Sequence, residues 1–188
     1  MPRKRTKPAA RQARARPAVP ADTVAYQVRR ATLNDVSVIA HHRVAMFQDM
    51  GLVASNAQAT SLFEQSTAAL AAVLSDGTYV GWLASDSRGR IVGGAGAHIK
   101  PYLPRISPDG MRVVSLPVPL VVNVYTELPH RGKGIARALM NALLGWADTE
   151  GFDRVVLHAS DAGRSLYASL GFNPTNEMRL SVGVIEND

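Results

Sequence analysis

The sequence predicts an α/β (α+β) fold in which helices flank a mixed sheet, and three features lead to it. Two segments with helical periodicity come first, between residues 36 and 74. An antiparallel hairpin follows: Tyr79 to Ala84 and Ile91 to Ile99 are separated by the turn-rich Ser85-Asp86-Ser87-Arg88-Gly89-Arg90. The third feature is a strand, a glycine-rich turn and a long helix in succession, from Val121 to Glu150.

Taken in order, Val24 to Arg30 alternates partially and reads as the first strand. Thr32 and Asp35 have the spacing of a capping pair. Val36, Ile39, Ala40, Val44 and Phe47 then recur at helical intervals up to Gly51. A second helix over 57–74 carries Leu62, Phe63, Leu70, Val73 and Leu74. After the hairpin, residues 101–112 hold Pro101, Pro104, Pro108 and Gly110 and read as a surface loop. Val113 to Tyr125 is β-rich, but Pro117 and Pro119 move the expected start of the strand to near Leu120. A helix from Gly132 to Glu150 places Ile135, Leu139, Leu143 and Trp146 along one side. Arg154 to His158 reads as a short strand of the buried type, Asp161 to Leu170 as a short helix stopped by Gly171, and Met178 to Val184 as a last strand.

With 188 residues the chain suits one domain, predicted here over 23–188 after a tail of residues 1–22. The net charge of +6 resides in that tail, which holds seven basic residues and one acid; the remaining 14 basic and 14 acidic residues cancel. The tail is rich in Pro, Ala and Arg and is expected to be disordered. A formally neutral body argues against nucleic acid as a partner. No apolar run is long enough for a membrane span, and no apolar segment follows the basic stretch as a secretory leader requires, so a cytoplasmic location is expected. The absence of cysteine excludes disulfides, thiolate metal sites and a cysteinyl acyl intermediate.

The chemically informative segment is Arg131-Gly132-Lys133-Gly134-Ile135-Ala136. A helix start presents N–H groups with no intrahelical partner and the positive end of the macrodipole. Two glycines let the backbone approach a ligand, and Arg131 and Lys133 add full charges, which together suit a pyrophosphate. The segment is neither GxxxxGK[ST] nor GxGxxG, which disfavours a P-loop hydrolase and a dinucleotide fold. His41 and His42 do not make a metal site, because neighbouring helical positions point apart and no second cluster has ligand spacing.

RGKGIA resembles the (Q/R)xxGx(G/A) signature of the GCN5-related N-acetyltransferases. Leu166-Tyr167-Ala168-Ser169-Leu170-Gly171-Phe172 resembles the LYxxLGF ending of the same family. The order of elements agrees, and the resemblance covers roughly residues 24–183. It implies a mostly antiparallel six- to seven-stranded sheet flanked by about four helices, with the family's fourth and fifth strands splayed around pantetheine. It further implies acetyl-CoA as cosubstrate, no metal, an amine of a small molecule or peptide as acceptor, and a monomer or homodimer. Val124, Tyr125 and Thr126 would form the main-chain wall, with a strand N–H there polarising the thioester carbonyl. Gly132, Lys133, Gly134, Ile135 and Ala136, with Arg131, would grip the pyrophosphate. Two departures stand out: Ser160 occupies the position where the family often has Asn, and Leu128 the usual proline position, with Pro129 one residue later.

Tyr167 is the expected general acid, since a phenol is protonated at neutral pH and matches the basicity of a departing thiolate. His158 is the candidate base, with His98, Glu127 and Glu177 as weaker ones. Met46, Phe47 and Met50 lie where the family forms its acceptor pocket, and Asp49 is available to hold a cationic acceptor. Retention of Tyr167 argues against the alternative of a non-catalytic acyl-CoA sensor.

Overall fold

The structure, a computed structural model, describes residues 26–107, 109–178 and 180. The basic tail lies outside the described residues, as does most of the predicted strand from Met178 to Val184.

After β1 (Gln27–Arg30) the chain turns on the Thr32/Asp35 pair: Thr32 donates to Asp35 Oδ2 from its backbone N–H at 2.8 Å and from its hydroxyl at 3.0 Å. One 3-10 turn, Leu33–Asp35, then runs into α1 (Val36–Asp49). Ser55 caps α2 (Asn56–Ser75) by accepting the Gln58 N–H at 3.2 Å. The hairpin is β2 (Tyr79–Ser85) and β3 (Ile91–Lys100). Two short strands follow, β4 (Arg105–Ile106) and β5 (Val113–Val114), and then β6 (Val118–Thr126), α3 (Ile135–Thr149), β7 (Val156–Leu157) and α4 (Asp161–Ser169). No helix among the described residues is long and apolar enough to cross a membrane.

The seven strands divide into a five-stranded sheet of order β1-β2-β3-β6-β7 and the two-stranded β4-β5. The main sheet is antiparallel except for β6 and β7, which run parallel. α1 and α2 cover one face, where Ile39, Ala40 and Leu70 meet Tyr79 and Leu83. α3 covers the other, where Ile135, Leu139, Met140 and Leu143 meet Val80, Trp82 and Val121. The split follows the alternation of side chains along β2. Leu139, Met140 and Leu143 are wholly enclosed, each stabilising the fold by roughly 1.5–3 kcal/mol relative to exposure.

Several sequence expectations need correction. The predicted loop 101–112 contributes β4, which pairs with Val113 and Val114. β6 begins at Val118 rather than Leu120 and accommodates Pro119, because β7 pairs only from Leu120 onward and the missing N–H breaks no bond on that side. α3 starts at Ile135, since Gly132 and Gly134 occupy left-handed backbone at φ 73° and 81° and cannot continue a right-handed helix. β7 is shorter than expected and only half-buried.

Asp35 is the polar anchor of the first turn. It also receives both Arg29 guanidinium nitrogens at 2.8 Å, and that pairing holds its carboxyl at about 2. Asp35→Asn should therefore lower stability by about 1–2 kcal/mol at neutral pH, discounted for the half-exposed Arg29. A depressed carboxyl stabilises the fold above its unfolded pKa and loses that contribution as pH falls toward 2. Chemical denaturation of both proteins from pH 7 to 2 should show the difference shrinking with acid.

Candidate functional site

Between Gly94 and Gly96 the register of β3 against β6 shifts, so that Asn123 and Val124 together oppose Ala95. Asn123 sits in this bulge with a left-handed φ of 56°, a conformation Asn tolerates better than most residues. It is buried, and its amide is held on both sides: Oδ1 accepts from Arg43 at 2.7 Å and Nδ2 donates to the Tyr79 hydroxyl at 3.4 Å. Past the bulge, Tyr125 and Thr126 still pair with Gly94 and Gly93 of β3. On the other edge β7 pairs only with Leu120 and Val121. Among the described residues the main chain from Val122 to Thr126 therefore has one edge open, the arrangement that the resemblance implies for the splayed fourth and fifth strands.

The chain leaves β6 through a 3-10 turn, Leu128–His130, with Pro129 in its first turn. This is how the displaced proline is accommodated. The glycine-rich turn follows, and a Cβ at Gly132 or Gly134 would meet nothing within 4 Å, so those glycines serve backbone conformation rather than crowding. Among the described residues no hydrogen bond uses the N–H groups of Gly132 to Ala136. They open α3 at the positive end of its dipole.

The side chains of the turn are disposed differently from expectation. Arg131 ion-pairs with Asp49 of α1, donates from Nε to the Thr126 carbonyl at 2.9 Å and lies over the Tyr125 ring. Its pKa rises chiefly through the Asp49 hydrogen bond. Asp49 is thus occupied by Arg131 rather than left for a cationic acceptor. Lys133 folds back onto the Pro129 carbonyl at 2.9 Å. Arg137, one residue beyond the RGKGIA motif, reaches the Ser169 hydroxyl at 2.7 Å and ties the first turn of α3 to α4.

Tyr167 is half-buried and meets Phe172 edge-on at 6.0 Å. Burial raises its pKa, so the phenol stays protonated. Its ring lies across Gly163, where a Cβ would come within 2.7 Å of it. Ser160 stands at the N-cap of α4, but its hydroxyl makes no cap bond; its carbonyl accepts from Gly163 and Arg164, both at 3.1 Å. His158 Nε2 lies 2.7 Å from Glu177 Oε1, with both side chains exposed. No hydrogen bond or ion pair among the described residues joins that pair to Tyr167 or to the turn. His98 packs edge-on against Tyr79 at 5.3 Å.

His42, whose sequence neighbours suggest no role beyond a discounted metal site, proves to belong to the interior. In the fold it is buried, neither ring nitrogen has a hydrogen-bond partner among the described residues, and Nε2 lies 3.9 Å from Glu127. Its ring stacks at a tilt on Tyr125, 5.2 Å away, so Tyr125 lies between His42 and Arg131. Burial lowers the pKa of His42, partly offset by Glu127. A cavity of about 10 Å³ beneath the bulge is lined by His42, Tyr79 and Asn123. A larger concavity of about 300 Å³ lies against Trp146 and Glu150, at the far end of α3 from the turn. Among the described residues no three His, Asp or Glu could hold a metal ion together.

Comparison with known proteins agrees with this geometry. Residues 38–172 match the model of the acetyltransferase (GNAT) family. N-acetyltransferase 8 of Rattus norvegicus is 34% identical over 106 residues, 54% of this chain and 43% of that protein. N-acetyltransferase 8B of Homo sapiens is 43% identical over 51 residues, 26% of this chain and 22% of that protein. The chain thus spans less than half the length of these curated relatives. Among solved structures, a GCN5-related N-acetyltransferase from Ralstonia eutropha JMP134 superposes with a TM-score of 0.73 at 28% identity, covering 84% of this chain and 99% of the other. A predicted acetyltransferase from Clostridium acetobutylicum, solved with acetyl-CoA, gives 0.72 at 24% identity over 87% and 99%.

Because His42 is buried neutral, protonation favours the unfolded chain. The stability held above its unfolded pKa, near 6.5, is lost as pH falls below that value. His42→Gln should flatten this acid-side loss, which thermal unfolding of the two proteins between pH 8 and pH 5 would reveal; equal slopes would refute it.

Proposed function

The chain belongs to the acetyltransferase (GNAT) family, and from that premise we propose that it moves an acetyl group from acetyl-CoA to an amine of a small molecule or peptide, by direct attack within a ternary complex. The observation that carries the proposal is a convergence. The open edge of β6, the free N–H groups at the start of α3 and the protonated phenol of Tyr167 belong to one region, since Ile135, Val124 and Tyr167 pack in one core cluster.

In this reading the N–H groups from Gly132 to Ala136 take the pyrophosphate. Arg137 is the cation best placed to follow the phosphates, because Arg131 is engaged by Asp49 and steadies the end of β6. Pantetheine runs along the open edge of Val122 to Thr126, and a main-chain N–H in Val124 to Thr126 polarises the thioester carbonyl. The amine nitrogen attacks the carbonyl carbon, the C–S bond breaks, and Tyr167 gives its proton to the leaving thiolate. The proton released by the amine has two side-chain acceptors on offer, His158 with Glu177 and Glu127 beside His42. No cysteine exists to carry the acyl group, which favours direct transfer.

Two measurements test this. Tyr167→Phe should lower kcat by about 10²-fold, the lower end of general-acid contributions, with little change in acetyl-CoA affinity; an unchanged kcat would remove Tyr167 from the mechanism. Gly134→Ala places a side chain in left-handed backbone at a cost of about 1–2 kcal/mol and should weaken acetyl-CoA binding about tenfold by calorimetry. Gly145→Ala, on an exposed position of the same helix with open space at its Cβ, should instead stabilise the fold by about 0.5–1 kcal/mol and leave that binding intact.

A further inference from the structure

On the α1 side of the bulge, Arg43 is a half-buried guanidinium with no carboxylate partner among the described residues. Its one hydrogen bond among the described residues goes to a neutral amide, the Asn123 side chain at 2.7 Å. Burial accordingly lowers its pKa. The nearby carboxylates are otherwise engaged: Asp49 pairs with Arg131, and Glu127 lies against His42. A guanidinium carries five donors in a planar fork, so most of Arg43's capacity is unspent. Its plane is steadied by the Phe47 ring, 4.9 Å from the guanidinium carbon, and a cation held in this way is arranged for bidentate capture of a carboxylate.

The location of Arg43 narrows the ligand. Asn123, which Arg43 touches, directly precedes Val124, where the segment assigned to the thioester carbonyl begins. Adjacent Cα atoms are about 3.8 Å apart, so Arg43 addresses the residue next to the segment assigned to the reacting carbonyl. An amine whose carboxylate sits on the neighbouring carbon suits that juxtaposition of a cation and the carbonyl segment, whereas a lysine side chain of a protein carries no such group. Phe47 and Met46, both partly buried on α1, offer apolar surface beside it.

We propose that the acceptor is a small amine bearing a carboxylate next to the amino group, a free amino acid or a side-chain derivative of one, and that Arg43 is the residue that selects it. This rests on the acetyl-transfer reading above and specifies its acceptor.

The test compares phenylalanine, phenylalanine amide and 2-phenylethylamine as acceptors for the full chain with acetyl-CoA. CoA release is measured, and kcat/KM is expressed per deprotonated amine. The acid should be preferred over both neutral analogues by at least about tenfold, the ratio that about 1.4 kcal/mol of differential binding produces, with the difference mainly in KM. Arg43→Gln should reduce that ratio at least about tenfold, and Arg43→Lys should retain part of it. Acetyl-CoA calorimetry on each variant reports whether it is folded. A wild-type ratio near one, or a ratio unchanged in Arg43→Gln, overturns the proposal. Should none of the amines be acetylated, the acetyl-transfer reading fails for this class of acceptor. The carboxylate site is then read alone, by NMR titration of the CoA-loaded protein with N-acetylphenylalanine and its amide. Binding of the acid only, lost in Arg43→Gln, sustains the site, and equal binding of the two overturns it.

Discussion

The arrangement of the site depends on one residue held in an unusual backbone state. Asn123 adopts left-handed backbone inside a strand, where the ladder would otherwise continue uninterrupted. The conformation persists because the surroundings determine it from both sides: Arg43 and Tyr79 hold the amide, and Gly96 leaves room for the Tyr79 hydroxyl, which a Cβ there would meet at 2.0 Å. The bulge changes the alignment of β6 just beyond the point where β7 stops pairing. Among the described residues only Leu120 and Val121 of β6 are paired on both edges, and the segment beyond the bulge is bonded only to β3.

Charge around this strand is divided with the same economy. Arg131 has the sequence position of a phosphate ligand, but its guanidinium is drawn to Asp49 and over Tyr125, so it braces α1 against the end of β6. In the proposed function, anion binding at the turn then rests on main-chain N–H groups, which need no side-chain rearrangement. His42, which also packs on Tyr125, stays neutral because it is enclosed. Arg43 alone among these groups remains a half-buried cation facing a neutral partner.

Much of the fold was legible because it is encoded locally. The hairpin, the capping pair Thr32 and Asp35, and the helix run Ile135, Leu139, Leu143 follow from periodicity and from residues close in sequence. Errors fell where a distant contact overrode a local rule. Pro119 sits inside a strand because β7 happens to end beside it, and Arg105 and Ile106 became a strand only by meeting Val113 and Val114. The partner of Arg131 is likewise invisible locally, since Asp49 lies 82 residues earlier.

The sequence by itself determined the glycine-rich start of α3, the tyrosine on α4 and the family to which they belong, because those signals reside in short contiguous motifs. Only the tertiary structure decided that His42 is buried with no hydrogen bond to its ring nitrogens, that Asn123 is the strained centre of β6, and that Arg43 meets no carboxylate, in each case among the described residues. Burial and pairing are properties of neighbours brought together from α1, β2 and β6. No spacing within one segment reports them.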